Sequence, residues 1–314
     1  MDLRELRYFA HVARAGSFSR AAQELYIAQP ALSRQIRKLE EELGVALLAR
    51  HGRGVRLTGA GARLLERAEM IADFVRQTED HVRQEGDALS GHVALGLPTG
   101  VAMMVGRRVI EAFRARWPQV SLHVREGLST SLQEWVLNGR VDLAVLHNPP
   151  PLDRLDVEPV IAEPMVLVAP PDAGLPGAPG RARRLADVQA LPLILPGLPH
   201  ANRRLIEQSA VQSGLRLRVI MEIDSLALTR DLVAGGLGYS ILTYAAVQDD
   251  AAAGRVAAYP IERPAIPSIV AIAALRESRA VRATQAMRSV LRAALRDHVT
   301  SGAWRGNAAW LGDG

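Results

Sequence analysis

The 314-residue sequence contains no cysteine, which excludes disulfides and thiol chemistry and suits a reducing compartment. No run of eighteen apolar residues occurs, so no membrane span is expected although 48% of the residues are hydrophobic. Asp2, Arg4 and Glu5 sit where a secretory signal would place apolar residues, so the cytoplasm rather than export is expected. Lysine is almost missing: Lys38 is the only one, and the high isoelectric point reflects arginine. No Gly-x-Ser-x-Gly, P-loop or His-Glu-x-x-His motif is present. No two of the eight histidines are spaced three or four apart, so neither an enzyme, a metal site nor a cofactor is expected. Gly235-Gly236-Leu237-Gly238 runs from a helical pattern into a strand, the wrong order for a dinucleotide fingerprint, and reads as a helix-ending turn.

What is present is concentrated near the start. Ser17 can cap a short helix carrying Phe18, Ala21, Ala22 and Leu25, whose small alanines let a second helix cross closely. After a tight junction at Tyr26-Ile27-Ala28, Pro30 fits the first turn of a second helix. Ala31, Leu32, Ile36, Leu39 and Leu43 give that helix its buried face, leaving Gln29, Ser33, Arg34, Arg37 and Lys38 on the other. Gln and Arg can read adenine and guanine edges, while Ser and Lys can hold phosphates. Glu40-Glu41-Glu42 would repel DNA, so the contact surface should end near Lys38. The alternative is an ordinary solvated helix face. Leu3, Leu6, Phe9, Val12 and Ala13 form a further amphipathic helix that could complete a trihelical core. Residues 47–58 alternate and turn at glycines like a hairpin wing, with Arg50 and Arg53 near its tip. Residues 1–60 carry ten basic against six acidic side chains, so most of the net charge of +5 lies on this segment, as phosphate steering requires.

The dense order of Leu6-Arg7-Tyr8-Phe9, residues 16–22, Ala28-Gln29-Pro30-Ala31-Leu32-Ser33, Leu39-Glu40, Leu43-Gly44, Arg50 and residues 57–61 resembles the winged helix-turn-helix of the LysR-type transcriptional regulators. Leu48-Ala49-Arg50 departs from it, since the family usually places an aromatic before the arginine; wing packing is expected to be looser there. The resemblance implies that Gln29, Pro30, Ser33 and Arg34 meet base edges. It implies that Ser17, Arg37, Lys38, Arg50 and Arg53 anchor backbone or minor groove.

Thr58–Leu89 reads as one long helix. Leu64, Ala68, Ile71, Val75, Thr78, Val82, Glu85 and Leu89 follow coiled-coil spacing, either to pair two protomers or to pack on their own domain. Beyond Ser90-Gly91, short apolar strands alternate with helices, implying mainly parallel sheets covered on both faces. This part resembles the family's effector domain, of periplasmic-binding-protein fold, in which two α/β subdomains enclose a ligand cleft. The expected fold class is therefore α/β. The expected organisation is a winged helix-turn-helix at 1–58, a linker helix at 59–89 and an effector domain at 90–301. Within the last, subdomain I spans 90–161 and 267–301 and subdomain II spans 162–266, with crossings near Ile161–Glu163 and Ala265–Pro267. A poorly ordered tail is expected at 302–314, and Pro149–Pro151 and Pro170–Gly180 read as surface loops.

Ligands in open α/β sheets bind beyond the carboxyl ends of the strands. That rule selects Thr99 and Gly100, Ser129 and Thr130, and His147. Thr99 and Ser129 are either ligand contacts or helix caps; the resemblance favours contact. From the other side come His200 and Ala201, His200 being either a ligand group or a surface-loop histidine. Asp224-Ser225 is either a further wall of the cleft or a cap for the helix starting at Leu226. Free N–H groups at the helix starts would favour an anion. The resemblance implies a cytoplasmic homodimer or homotetramer, a small-molecule effector, double-stranded operator DNA with an interrupted palindrome, and RNA polymerase as partners. A solute-binding protein or small-molecule enzyme of the same class with a helical accessory is the alternative.

Overall fold

The computed structural model describes residues 1–51, 54–82, 89–175 and 181–312, without the side chains of 50, 51, 73, 76, 77, 79–82, 279 and 280. Arg53 of the wing tip, Glu85 of the linker seam and residues 176–180 of the Pro/Gly-rich loop lie outside the described residues, as do the side chains of Arg50 and Val82. The chain divides into two compact units, Met1–Glu85 and Gly86–Gly314.

In the first unit, α1 (Leu3–Ala15) opens on a reciprocal cap. The Asp2 carboxylate accepts from the Glu5 N–H at 2.7 Å, and the Glu5 carboxylate accepts from the Asp2 N–H at 3.0 Å. The helix ends at Gly16, whose φ of +60° is the left-handed stop that glycine adopts without strain. Ser17 caps α2 (Phe18–Glu24), and α3 (Gln29–Leu43) carries Pro30 in its first turn. Phe9, Val12, Ala21, Leu32, Ile36 and Leu39 meet in one buried cluster, which Leu47 and Val55 join. The wing is an antiparallel hairpin of β1 (Leu48–His51) and β2 (Gly54–Leu57). Its base is held by Glu40, whose Oε1 accepts from the N–H groups of Leu47 and Leu48 at 2.8 and 3.0 Å. That carboxylate is therefore occupied at the wing base. The next helix, α4 (Gly59–Val82), begins directly beneath the wing. The Thr58 hydroxyl donates to the Ala46 carbonyl at 2.7 Å and accepts from the Gly61 N–H at 3.0 Å, and a Cβ on Gly61 would lie 2.0 Å from the Leu47 carbonyl oxygen.

The linker seam divides along its length. Ala68 is buried, Leu64 packs on the core of its own unit and Val75 is half-buried, while Ile71 and Thr78 are exposed; Phe74, beside the seam, is exposed by 69%. Leu89 is not helical; it packs against the core of the second unit.

The second unit begins with β3 (Gly91–Leu97), α5 (Thr99–Val101), a π-helical turn at Ala102–Gly106, α6 (Arg107–Arg116), β4 (Val120–Glu126), α7 (Ser129–Leu137) and β5 (Leu143–His147). A long strand, β6 (Leu155–Ala169), follows. After it come β7 (Arg183–Arg184), α8 (Leu185–Val188), β8 (Leu193–Leu195), α9 (Ala201–Gln212), β9 (Val219–Glu222), α10 (Leu226–Ala234), β10 (Ser240–Thr243), α11 (Gln248–Ala252) and β11 (Ala257–Glu262). The chain returns through β12 (Pro267–Leu275) to α12 (Arg282–Thr300) and β13 (Ala309–Trp310).

β3 pairs in parallel with β4 and β5, but β12 is antiparallel to both β5 and β6, and β10 and β11 are antiparallel to β6. The sheets are thus mixed rather than mainly parallel, because β6 and β12 are opposed passes between two lobes. β6 pairs with β12 as far as Pro164 and with β10 from Met165, so the strand changes lobes there. One lobe core gathers Val93, Leu95, Phe113 and Leu291; the other gathers Leu167, Leu185, Leu195 and Ile206. The tail is ordered as far as Gly312, the last described residue, against expectation. Trp304 is 3% exposed and β13 pairs with Ile161 and Ala162 of β6, so two tryptophans outweigh the glycine and alanine around them.

Candidate nucleic-acid interface and ligand cleft

The amphipathic pattern of α3 turns Leu32, Ile36 and Leu39 inward and leaves Gln29, Pro30, Arg34, Arg37 and Lys38 exposed, with Ser33 half-buried. Ser17 is half-buried, and its hydroxyl accepts from the Arg20 N–H at 3.4 Å as the α2 cap. Lys38 has a second duty. Its Nζ donates to Glu5 Oε1 at 2.8 Å, and Glu5 is only 3% exposed. This bond holds the Glu5 carboxyl below its ordinary range and raises the Lys38 ammonium. It uses one of three N–H donors, so Lys38 can still face a phosphate. Tyr26 was not singled out in the sequence. It stands 95% exposed at the α2–α3 junction with φ +55°, immediately before the exposed face. Its only sequence signal is an aromatic residue at a position that hydrophobic periodicity leaves unused.

In the second unit a cleft of about 110 Å³ opens between the lobes. Thr99, Gly100, Ser129, His147 and His200 line it; Thr130, Ala201 and Ser225 do not. Ser225 caps α10 by accepting from the Leu228 N–H at 3.3 Å, and Ala201 is buried in the first turn of α9. Thr130 follows the lining Ser129 within α7, where adjacent side chains point about 100° apart, and Ala201 is the first helical residue after the cap His200. Asn202 and Asp224, beside His200 and Ser225 in the loops expected to face the cleft, line it as well, and Thr243 joins them without a sequence signal.

Thr99 and Ser129 are the first residues of their helices, not caps: Pro98 and Leu128 occupy the cap positions without side-chain capping bonds. The Thr99 hydroxyl donates to Glu126 Oε1 at 2.6 Å, and Ser129 Oγ accepts from the His147 N–H at 2.9 Å. His200 is no loose surface histidine, since its Nδ1 accepts from the Asn202 N–H at 3.2 Å. Burial, with His200 adjacent, pulls His147 down to about 4, and burial also lowers His200, so His147 is neutral at pH 7. The lobes are latched through Asn148, whose Nδ2 donates to Asn202 Oδ1 at 3.3 Å and to Ser268 Oγ at 3.2 Å. No Lys or Arg is among the described lining residues, and Asp224, which accepts from the Gly197 N–H at 2.9 Å, keeps its negative charge at the cleft wall. The site can therefore offer hydroxyls, neutral imidazoles and the first-turn N–H groups of α7, but no fixed cation. A larger depression of about 600 Å³ lies beside the N-terminal ends of β3 and β4, around Trp117 and Arg282. It is open to solvent, and it sits at the wrong end of the strands for a ligand site of this sheet type.

Two family models match the chain: one described as bacterial regulatory helix-turn-helix protein, lysR family, over residues 3–62, and one as LysR substrate binding domain over residues 86–296. The HTH-type transcriptional regulator BbuR of Bordetella bronchiseptica is 33% identical over 313 residues, covering 99% of this chain and 95% of its own. The nitrogen assimilation regulatory protein nac of Escherichia coli is 32% identical over 249 residues, covering 79% and 80%. These relatives are regulators, not enzymes. Among solved structures, a full-length OxyR variant from Pseudomonas aeruginosa superposes with a TM-score of 0.65 at 25% identity, covering 93% of this chain and 98% of that one. Full-length CbnR complexed with its target DNA gives 0.68 at 21% identity, covering 94% and 100%.

Proposed function

The chain belongs to the LysR family of transcriptional regulators and carries its substrate-binding domain, and on that premise we propose that it reads operator DNA through α3 and answers to a small effector in the interlobe cleft. Gln29, Pro30, Ser33 and Arg34 meet base edges, Pro30 by apolar contact alone. Ser17, Arg37, Lys38, Arg50 and Arg53 hold the DNA backbone or minor groove, and Tyr26 joins them from the junction. The observation that supports this most is the polar, exposed Gln29–Lys38 face on a helix that buries Leu32, Ile36 and Leu39 on its other side, although Ala31 is half-buried and Leu43 at the far end exposed.

Thr99, Ser129, His147 and His200 contact the effector. With no cation among the described lining residues and the Thr99 O–H already given to Glu126, the first-turn N–H groups of α7 and the Ser129 hydroxyl suit one negative charge rather than two or three. A dry apolar cavity of about 150 Å³ holds a benzene; at about 110 Å³ the cleft is smaller, so it admits a small monocarboxylate as it stands and a single-ring one only as the lobes part. The exposed Ile71 and Phe74 on α4 pair two protomers, which would present two α3 helices to an interrupted palindrome. The working compartment is the cytoplasm, where RNA polymerase is the further partner; no described helix is long and apolar enough to cross a membrane.

Retardation of the duplex upstream of its own gene, against scrambled competitor, tests the first part; retardation indifferent to sequence would sink it. Thermal shift of the full chain with acetate, benzoate and citrate tests the second. Acetate or benzoate should raise the midpoint by mass action while citrate does not. The reverse order rejects a singly charged effector.

A further inference from the structure

The tail is fastened at the place where the chain changes lobes. After α12, in the first lobe, the chain turns at Gly302 and lays Trp304 against β6, where its Nε1–H donates to Glu163 Oε2 at 2.9 Å. Farther on, β13 pairs with Ile161 and Ala162, and the Leu311 N–H donates to the Val160 carbonyl at 2.9 Å. Between these anchors the tail reaches the second lobe. The Arg305 N–H donates to Gln248 Oε1 at 3.3 Å, and Gly306 passes so close to Tyr244 that a Cβ there would fall 2.3 Å from the tyrosine Cβ. A peripheral extension packed on one lobe would not need both attachments.

Glu163 links this tail to the cleft. Its carboxyl is 2% exposed, lies two residues before β6 changes lobes, and faces Thr243 as well as Trp304. Thr243, 6% exposed, ends β10 and lines the cleft. One buried carboxyl thus holds the tail through Oε2, while its Oε1, buried without a hydrogen-bond partner, lies beside the cleft wall at Thr243.

We propose that the C-terminal tail is a clamp across the interlobe hinge, and that Glu163 is the positioning residue that ties its seating to the cleft wall at Thr243. Loss of the indole donor frees the β6 crossing and lets the lobes reorient. A change at Thr243 loosens the tail in return, since coupling between sites is reciprocal. The significance of the clamp for regulation rests on the effector reading above, but the clamp itself needs no ligand.

The test therefore uses the full chain without ligand. Because there is no native cysteine, Arg114→Cys in the first lobe and Val211→Cys in the second can carry spin labels without background. In Trp304→Phe, hydrogen exchange at residues 160–163 and 243–248 should rise roughly tenfold, the loss of one buried hydrogen bond, and the interlobe distance distribution should broaden. Glu163→Gln, which keeps an acceptor for the indole, should stay close to the parent in both readouts; Glu163→Ala should resemble Trp304→Phe. Thr243→Val should raise exchange across residues 304–311 several-fold. A chain ending at Ser301 should match Trp304→Phe if it folds; if it does not, Trp304→Phe decides. The proposal is overturned if Trp304→Phe leaves exchange and distances unchanged, or if Glu163→Gln and Glu163→Ala behave alike. It is overturned equally if Thr243→Val leaves the tail as protected as before. A cleft that binds no tested carboxylate leaves all of these outcomes intact and counts against the effector reading alone.

Discussion

In the N-terminal unit the candidate contacts on α3 fall within ten residues, Gln29 to Lys38, on one helix, and all but Ser33 are exposed. In the C-terminal unit the candidate contacts come from residues 98 to 246 and from helix starts and strand ends in two lobes. The first arrangement suits a large polyanion that must be approached from outside. The second suits a small molecule that must lose its water, and it draws its polarity from groups that burial keeps neutral, His147 above all. A surface that meets phosphate needs fixed charge, whereas a closed pocket can hold one charge with dipoles.

The contrast can be broken most forcefully through the first core. Phe9 is fully buried in the trihelical cluster, so Phe9→Ala should destabilise the N-terminal unit by about 3–5 kcal/mol. Calorimetry should show that transition fall while the C-terminal unit keeps its own. A common shift of both would mean that the two units do not melt separately.

Next in size is a pH effect confined to the second unit. Burial holds Glu163 up at about 7 against an ordinary 4.5. The folded chain therefore keeps a proton that the unfolded chain has already lost. The associated stability is complete below pH 4.5 and is lost as pH rises through about 7, on the order of 3 kcal/mol in all. His147 acts at the opposite edge. Its imidazole is held down at about 4 against 6.5, so its contribution is complete above pH 6.5 and disappears as pH falls toward 4. Urea titrations at pH 5, 6, 7 and 8 should show the alkaline decline in the parent and a flatter limb in Glu163→Gln; parallel curves would refute the assignment.

Arg34→Ala should come third, removing about 1–3 kcal/mol of discrimination at one base pair. Binding measured on single-site operator variants checks this, and uniform weakening would make Arg34 a phosphate contact. The smallest effect is expected from Thr99→Val, which should blunt the midpoint shift with benzoate and leave basal DNA retardation as it was. An unchanged benzoate titration would remove Thr99 from the site.

The same contrast explains what could be read in advance. Gln29–Leu43 was legible because its proline and its apolar spacing lie within fifteen consecutive residues. Thr99, Ser129 and His147 could be placed because each ends or follows a short apolar strand. Thr130 and Ala201 do not line the cleft, and Ser225 takes the cap role that was its alternative, because a loop facing the cleft does not reveal which of its neighbours turns inward. The first half of β6, Leu155–Pro164, holds charges and two prolines and shows no clean alternation; only its long ladder with β12 makes it a strand. The tail was judged by its glycines, although two of the chain's four tryptophans lie within it. Lys38 was readable as a cation but not as the partner of Glu5, thirty-three residues away.

The packing of Gly61 against the Leu47 carbonyl bears on how motion in α4 is delivered. A junction with no room for a methyl group has no slack, so the start of this helix and the base of the wing must turn as one piece. Torque applied farther along the helix would then steer the whole reading head, as a shaft turns a key, and Gly61→Ala should misalign the wing before it affects anything else.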